Sequence, residues 1–472
     1  MSLRPRADRR QGILPFVLTL RDREDVTSRA GLPLVVETSR ALRLDEVARA
    51  LFGPPRRTED FGADEQLETL ATLIAAGGDR VEDIRILGED QGLVRLLGRP
   101  FASPDALLDF LTSFHDAQGW AERPPDKPAF VPPESAKLQA LAQLNRTLVR
   151  RAADPHTTTA TIDHDGTIIE SHKRDARVAY EGTRGYQPLV ALWAEEQLVV
   201  ADEFRDGNVA GGEDPLRSAR RAFDTLPPTV TTRYFRGDSA DYYDPLLKYL
   251  VGEQIGFAIS ADMGPELRAV CAGQPEGAWQ ELEQRERERV DLAEVEFTPG
   301  VWPKDAKPLR YIALRFTPLQ ADLFAGVSVR YHAVVSNRRE LTPAAVIEWH
   351  RGKAGTIEQV HRVLKGELGA GVMPCQLFGA NAAWFRINVL TFNLLTVLKR
   401  RALPERYRLA RPKRLRFEMF TLPGKLAIHE SQLSVQVSAA DARLQELVAA
   451  RQRLLTMRES PPRLTIGAGT AP

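Results

Sequence analysis

The sequence predicts a mixed α/β fold: a mixed sheet with helices, interrupted by a β-rich insertion and preceded by a mainly helical N-terminal region. Three observations predict it. Strand-like runs cluster between residues 159 and 260 and are separated by helical patterns over 215–223 and 242–250, the alternation of an α/β architecture. A second group of strand-like runs, VDLAEVEF, LRYIALRF and VRYHAVVSN, falls between residues 290 and 337. Helical spacing governs the sequence on both flanks of these two groups.

Residues 12–52 read as an opening strand or two followed by a helix, and residues 62–118 as short helices. Among the latter, FASPDALLDFLTSFHD carries a start signal, with Ser103 as cap and Pro104 at the first helical position. Leu107, Leu108, Leu111 and Phe114 then repeat at helical spacing. ERPPDKPAFVPPES, residues 122–135, holds five prolines and reads as a linker, and a helix is expected from Ser135 to about Arg151. TATIDHDGTII, GYQPLVALWAEE and QLVVADEFRDGN read as three consecutive strands, TTRYFRGD as a fourth ending at Asp238, and GFAIS as a fifth. Helical spacing returns near Thr342 and continues through IEQVHRVLKGEL and the apolar NAAWFRINVLTFNLLTVLKR. LAIHESQLSVQV reads as a hairpin and SAADARLQELVAARQRLL as an amphipathic helix. No internal repeat is present.

Of the 472 residues, 43% are hydrophobic and 27% charged, an ordinary globular composition; the length suggests about two to four domains. A net charge of +1 excludes a uniformly polycationic binder, so an acidic partner must be met by local clusters. The two cysteines, Cys271 and Cys375, lie in no CxxC or Cys/His pattern, which argues against a disulfide framework or a zinc site. No apolar run reaches the roughly 20 residues that span a bilayer, and the basic N-terminus lacks the apolar core of a secretory signal. The expected setting is the cytoplasm, with no membrane partner.

Asp163 and Asp165 stand one residue apart in a strand-like run, so both carboxylates point to one face. Two like charges side by side need something positive between them. His164 points to the other face and reads as a packed strand residue. Two chemistries fit. Asp163-His164-Asp165-Gly166-Thr167 resembles the DxDGT motif of haloacid-dehalogenase-type phosphatases, in which the first Asp attacks phosphorus and the second is the acid/base; Gly237-Asp238-Ser-Ala-Asp241 resembles their acidic loop. Against this reading, no lysine occurs between Lys173 and Lys248 to hold a phosphate, and a strand meander follows the motif where such phosphatases enter a helix or cap. The second reading makes the aspartates metal ligands of a polynucleotidyl transferase. Meander, helix, strand, helix, strand is the order of a ribonuclease-H-like fold, with one carboxylate on the first strand, another at the end of the fourth and a third on a later helix. Asp165 and Asp238, 73 residues apart, take the first two places. Glu358 in HRGKAGTIEQVHRVLKGELG fits the third, with Lys365 two helical turns on.

Together, IDHDGT, GTRGYQPLVAL, RGDSADYYDPL and GKAGTIEQVHRVLKGELGAG…FGANAAWFRINVLTFNLL make the chain similar, over roughly residues 155–435, to DDE transposases of bacterial insertion sequences, most of all to insertion-sequence family 1380. The wider group carries a Tyr-x2-Arg-x3-Glu-x6-Lys signature. Glu358 and Lys365 keep its second half, whereas His350 and Lys353 stand for Tyr and Arg with one extra residue before the glutamate. The resemblance implies an acidic triad of Asp165, Asp238 and Glu358. Asp165 is preferred to Asp163 because the family's first aspartate is followed two residues on by a threonine, here Thr167. It further implies a β-rich insertion between the second and third carboxylates. The expected organisation is therefore a helical region over 1–120 with possible DNA-end binding, a linker over 121–135, a ribonuclease-H-like core over 136–261 and 341–400, the insertion over 262–340, and a basic segment with the C-terminal hairpin and helix over 401–472.

The implied chemistry is binding of an insertion sequence's terminal inverted repeats, cleavage of phosphodiesters and joining of 3′ ends to target DNA. The triad would hold two Mg2+ ions, with Mn2+ able to substitute. The partners implied are double-stranded DNA, at the transposon ends and the target, and a second copy of the chain in the synaptic complex; the setting is a bacterial cytoplasm and its nucleoid. Leu398–Arg416 contains nine Lys or Arg and one acid and suits phosphate contact, through Arg411, Lys413, Arg414 and Arg416. Arg236, Arg351, Lys353 and Lys365 are candidates for phosphate contact nearer the triad. A catalytically inactive, domesticated DNA-binding protein is the third reading, which the complete triad disfavours.

Overall fold

Strand β1 (Thr159–Gly166) is buried from residue 160 to 164 without alternation, as a strand covered on both faces must be. The computed structural model describes residues 25–55, 57, 60–124, 129–299, 302, 308–319, 329–429 and 432–459. Around β1 lie β2 (Leu189–Trp193), β3 (Leu198–Glu203), β4 (Thr232–Gly237) and β5 (Gly256–Ser260), in the spatial order β3-β2-β1-β4-β5. β1, β4 and β5 run parallel, while β2 is antiparallel to both β1 and β3.

The sheet continues beyond β5. Strands β6 (Gln280–Gln284), β7 (Glu288–Phe297), β8 (Leu309–Pro318) and β9 (Arg330–Ser336) form an antiparallel meander. Its last strand pairs with β5, Val335 opposite Ile259, giving nine strands in one sheet. The strand-rich stretch between the second and third candidate carboxylates is thus joined edge to edge with the first five strands. Its apolar face, including Leu292, Ile312 and Leu314, packs with Val346 and Ile347 in a second, smaller core.

Helix α1 (Ala63–Ala76), α2 (Ala136–Ala152) and α3 (Pro215–Thr225) precede the meander; α4 (Pro343–Arg351), α5 (Ile357–Gly366), α6 (Phe378–Val397) and α7 (Ala442–Glu459) follow it. All twenty residues of α6 are buried, as its apolar character all round requires. It packs on α1, α2 and β3, so the N-terminal helices share one continuous core with the sheet. Several buried polar groups of α6 are matched, although Asn388 Oδ1 has no partner among the described residues. Asn393 both accepts from and donates to the Val199 backbone at 2.8 Å, and Arg386 meets Asp202 at 3.0 Å.

Several expectations on element bounds need correction. In place of one helix before residue 52, two occur, Leu34–Ala41 and Leu44–Phe52. Arg43 between them adopts a left-handed conformation at φ 52°, which no helix continues through. A two-residue strand, Val26–Thr27, precedes them; residues 12–24 of the expected opening lie outside the described residues. GYQPLVALWAEE divides at Pro188, which has no N–H for a ladder. Arg184–Tyr186 belongs instead to a small sheet with Ile169–Glu170 and Arg177–Val178. The caps Ser103 and Ser135 accept from Ala106 and Leu138 N–H, both at 3.2 Å. The described residues of the proline-rich stretch form no helix or strand beyond 121, and Glu134 at its end ties α6 to α3 through Arg386 (2.9 Å) and Arg221 (2.8 Å).

Candidate active site

The parallel register of β1 and β4 sets Asp163 opposite Arg236. The pair is bidentate: Arg236 Nε donates to Asp163 Oδ1 at 2.6 Å and Nη2 to Oδ2 at 2.8 Å. Thr356 Oγ1 also donates to Oδ2, and Arg236 Nη1 donates to the Trp349 carbonyl at 2.7 Å. Asp163 is fully buried and Arg236 nearly so. This corrects the assignment of Arg236 to phosphate contact, since its guanidinium is consumed inside the protein. It also removes the phosphatase reading of DHDGT, because the residue that would attack phosphorus is inaccessible and has its oxygens occupied.

Two residues farther along the same strands, the geometry changes. Asp165 is the last residue but one of β1 and Asp238 follows β4, at the carboxyl ends of adjacent parallel strands, where open α/β sheets bind ligands. Lys353 reaches between them: its Nζ is 3.6 Å from Asp165 Oδ1 and 4.0 Å from Asp238 Oδ2. Burial works against the Asp165 charge, yet His361 and Lys353 beside it hold its carboxyl below the usual range. Burial pushes the Asp238 carboxyl up, Lys353 acting against the rise and Asp241 and Asp165 adding to it. Asp238 Oδ1 accepts from the Ala240 N–H at 2.9 Å. On the far face of β1, His164 is buried between Asp241 (2.7 Å) and Ser218 (3.0 Å), a packed residue as its strand parity predicts.

The helical arm after the meander brings the remaining groups. His350 at the end of α4 hydrogen-bonds the Gly237 carbonyl at 2.9 Å, bracing the residue before Asp238; burial lowers its pKa. His350 and Lys353, the two departures from the Tyr and Arg of the signature, therefore both touch the carboxylate pair or its support. Glu358 lies exposed in the first turn of α5. One turn on, His361 is 93% buried and turns Nε2 to within 3.6 Å of Asp165 Oδ2. Lys365, a further turn on, donates to the Ile168 carbonyl at 3.2 Å. The structure thus gathers Asp165, Asp238, Lys353 and His361 and leaves Glu358 outside that contact. His361 escaped the sequence reading; its signal was the three-residue spacing from Glu358, which puts both on one helix face.

The remaining basic candidates are largely engaged. Arg351 pairs with Glu283 at 3.0 Å on the rim. Arg411 pairs with Glu367, which also accepts from the Lys413 backbone N–H at 2.9 Å. Arg414 pairs with Glu418 at 2.8 Å. Arg416 donates to the Ala75 carbonyl at 2.9 Å and to the Ile74 carbonyl at 3.3 Å, at the end of α1. This corrects the phosphate assignment of Arg416, which caps a helix.

Among the described residues, no three His, Cys, Asp or Glu side chains are gathered closely enough to hold a metal ion. The donor chemistry fits a divalent ion nonetheless. Asp165 and Asp238 share one cation already, the Lys353 ammonium, and carboxylate oxygens are the ligands that Mg2+ and Mn2+ take. No helix among the described residues is long and apolar enough to cross a membrane. The family model described as transposase DDE domain group 1 matches residues 17–459. No curated protein matches the chain. Among solved structures it is similar to a piggyBac transposase in a cryo-EM synaptic complex with hairpin DNA, at 10% identity and a TM-score of 0.45, over 92% of this chain and 83% of that one.

Proposed function

This chain belongs to the transposase DDE domain group 1 family, and we propose that it binds the terminal inverted repeats of an insertion sequence, cleaves phosphodiesters there and joins the 3′ ends to target DNA. One observation carries the reading: a lone ammonium, Lys353, lies between Asp165 and Asp238 at the carboxyl ends of two adjacent parallel strands. The strand order β3-β2-β1-β4-β5 supports a ribonuclease-H-like core with the meander as its insertion. The motif resemblance supports placement near insertion-sequence family 1380, in a bacterial cytoplasm, with two copies holding two DNA ends.

Asp165, Asp238 and Glu358 would hold divalent metal, Mg2+ or Mn2+. When bound, the ion supplies a Lewis acid for in-line displacement at phosphorus. The chain's own residues do the positioning. His350 fixes the Gly237 carbonyl and so the start of the Asp238 loop. The buried Asp163–Arg236 pair holds β1 and β4 in the register that brings the two aspartates together. Lys353, beside both aspartates, and Lys365, on the Ile168 carbonyl, would supply positive charge to a phosphodiester entering the cleft.

The test is incubation of purified chain with labelled DNA carrying its element's ends and a divalent ion. Asp165→Ala, Asp238→Ala and Glu358→Ala are each expected to abolish cleavage while circular dichroism and DNA retention stay unchanged. Because the three ligands act as a unit, their effects are not additive. Substantial cleavage by Glu358→Ala would remove the third carboxylate from the reading, and hydrolysis of a small phosphomonoester should be negligible.

A further inference from the structure

Among the described residues beside Asp165, His361 is a group that a three-carboxylate site leaves without a task. It is 7% exposed, and neither ring nitrogen has a hydrogen-bond partner among the described residues. A buried polar group left unpaired is destabilising, so an imidazole that served packing alone would be better replaced by an apolar side chain. Its neighbours on α5 that do serve packing, Val360, Val363 and Leu364, are apolar. The ring is aimed at Asp165 at 3.6 Å, too long for a hydrogen bond. It is close to the separation of two donors on one ion, since donors about 2.0–2.2 Å from a metal stand roughly 3–3.6 Å apart. Lys353, on the opposite oxygen of Asp165, borders the same point.

We propose that His361 is a nitrogen ligand of the divalent ion held by Asp165, and that the site therefore takes Mn2+ in preference to Mg2+. The proposal rests on the reading of Asp165 as a metal ligand. Mg2+ prefers an all-oxygen shell, whereas an imidazole donor suits the transition metals.

The test uses the full chain without DNA, titrated with MnCl2 or MgCl2 by calorimetry, with electron spin-echo spectroscopy of the Mn2+-loaded protein. Mn2+ is expected to bind at least about tenfold more tightly than Mg2+, with 14N modulation from a directly bound imidazole. His361→Gln and His361→Ala should weaken Mn2+ by about tenfold or more, change Mg2+ less than about threefold, and abolish the modulation. Mn2+ binding that is lost in Asp165→Ala but keeps its affinity and lacks 14N modulation in the His361 variants and the wild type alike would overturn the ligand and leave the carboxylate site standing. Absence of any divalent binding in the wild type would overturn both. Should the variants fail to fold, the wild-type 14N signal decides alone.

Discussion

Two acid–base clusters lie back to back along β1 and β4, and they are built differently. In the inner one Asp163 and Arg236 meet through two bonds of 2.6 and 2.8 Å, both buried, with Thr356 and the Trp349 carbonyl occupying further polar positions. In the outer one a single ammonium stands 3.6 and 4.0 Å from two carboxylates, of which Asp238 is about half exposed. The first geometry satisfies its charges permanently. The second leaves oxygens directed at a shared point that a better cation could take. Two aspartates of one motif, one residue apart, thus divide into a structural residue and a candidate ligand, and the divider is whether a guanidinium of fixed geometry lies opposite.

The largest expected effect comes from exchanging the roles of these aspartates. Asp165→Asn should take DNA-end cleavage below detection and leave the melting temperature close to wild type. Asp163→Asn should do the reverse: cleavage per folded molecule persists, while stability falls by about 3–5 kcal/mol, the cost of leaving the buried Arg236 unpaired. Urea unfolding and cleavage on the same preparations separate the two. Loss of activity without loss of stability in Asp163→Asn would collapse the distinction and return the inner aspartate to the chemistry.

Much of this contrast was readable from the sequence and part of it was not. Strand parity put Asp163 and Asp165 on one face, and TTRYFRGD put Asp238 at a strand's end. What parity cannot give is register. Arg236 is 73 residues from Asp163 in sequence, and only the pairing of β1 with β4 reveals them as partners. His361 was missed for a related reason: a histidine among Val and Leu on an amphipathic helix reads as core until its facing residue is known. The basic run shows the same limit from the other side. Its composition is local, but the groups that engage it, Glu367, Glu418 and the α1 carbonyls of Ile74 and Ala75, come from elsewhere in the fold.

A smaller effect sharpens the outer cluster. Lys353→Ala should change stability by less than about 1 kcal/mol, because its ion pairs are long and Asp238 is water-accessible. The same change should strengthen divalent-ion binding several-fold, since an ammonium and a metal ion compete for the same two carboxylates. Weaker metal binding in Lys353→Ala would mean that the lysine supports the site rather than standing in for its cation.

The smallest effect tests whether the run from Leu398 to Arg416 holds DNA at all. Lys413 is exposed and engages Glu367 only through its backbone N–H, and Arg414 makes one surface pair with Glu418, of the kind worth up to about 1 kcal/mol. Both charges are therefore available to exchange a weak internal contact for a phosphate. Arg416 is not, because it holds the end of α1. Lys413→Gln with Arg414→Gln should leave the melting temperature unchanged and weaken binding to all DNA sequences alike, since phosphate contacts position without reading bases. The plot of log affinity against log salt should flatten by about one unit per contact, up to about two. Arg416→Gln should instead lower the melting temperature and leave that slope unaltered. If the double variant keeps both affinity and slope, the run is an internal brace, and the contacts that hold DNA must be sought among the N-terminal helices.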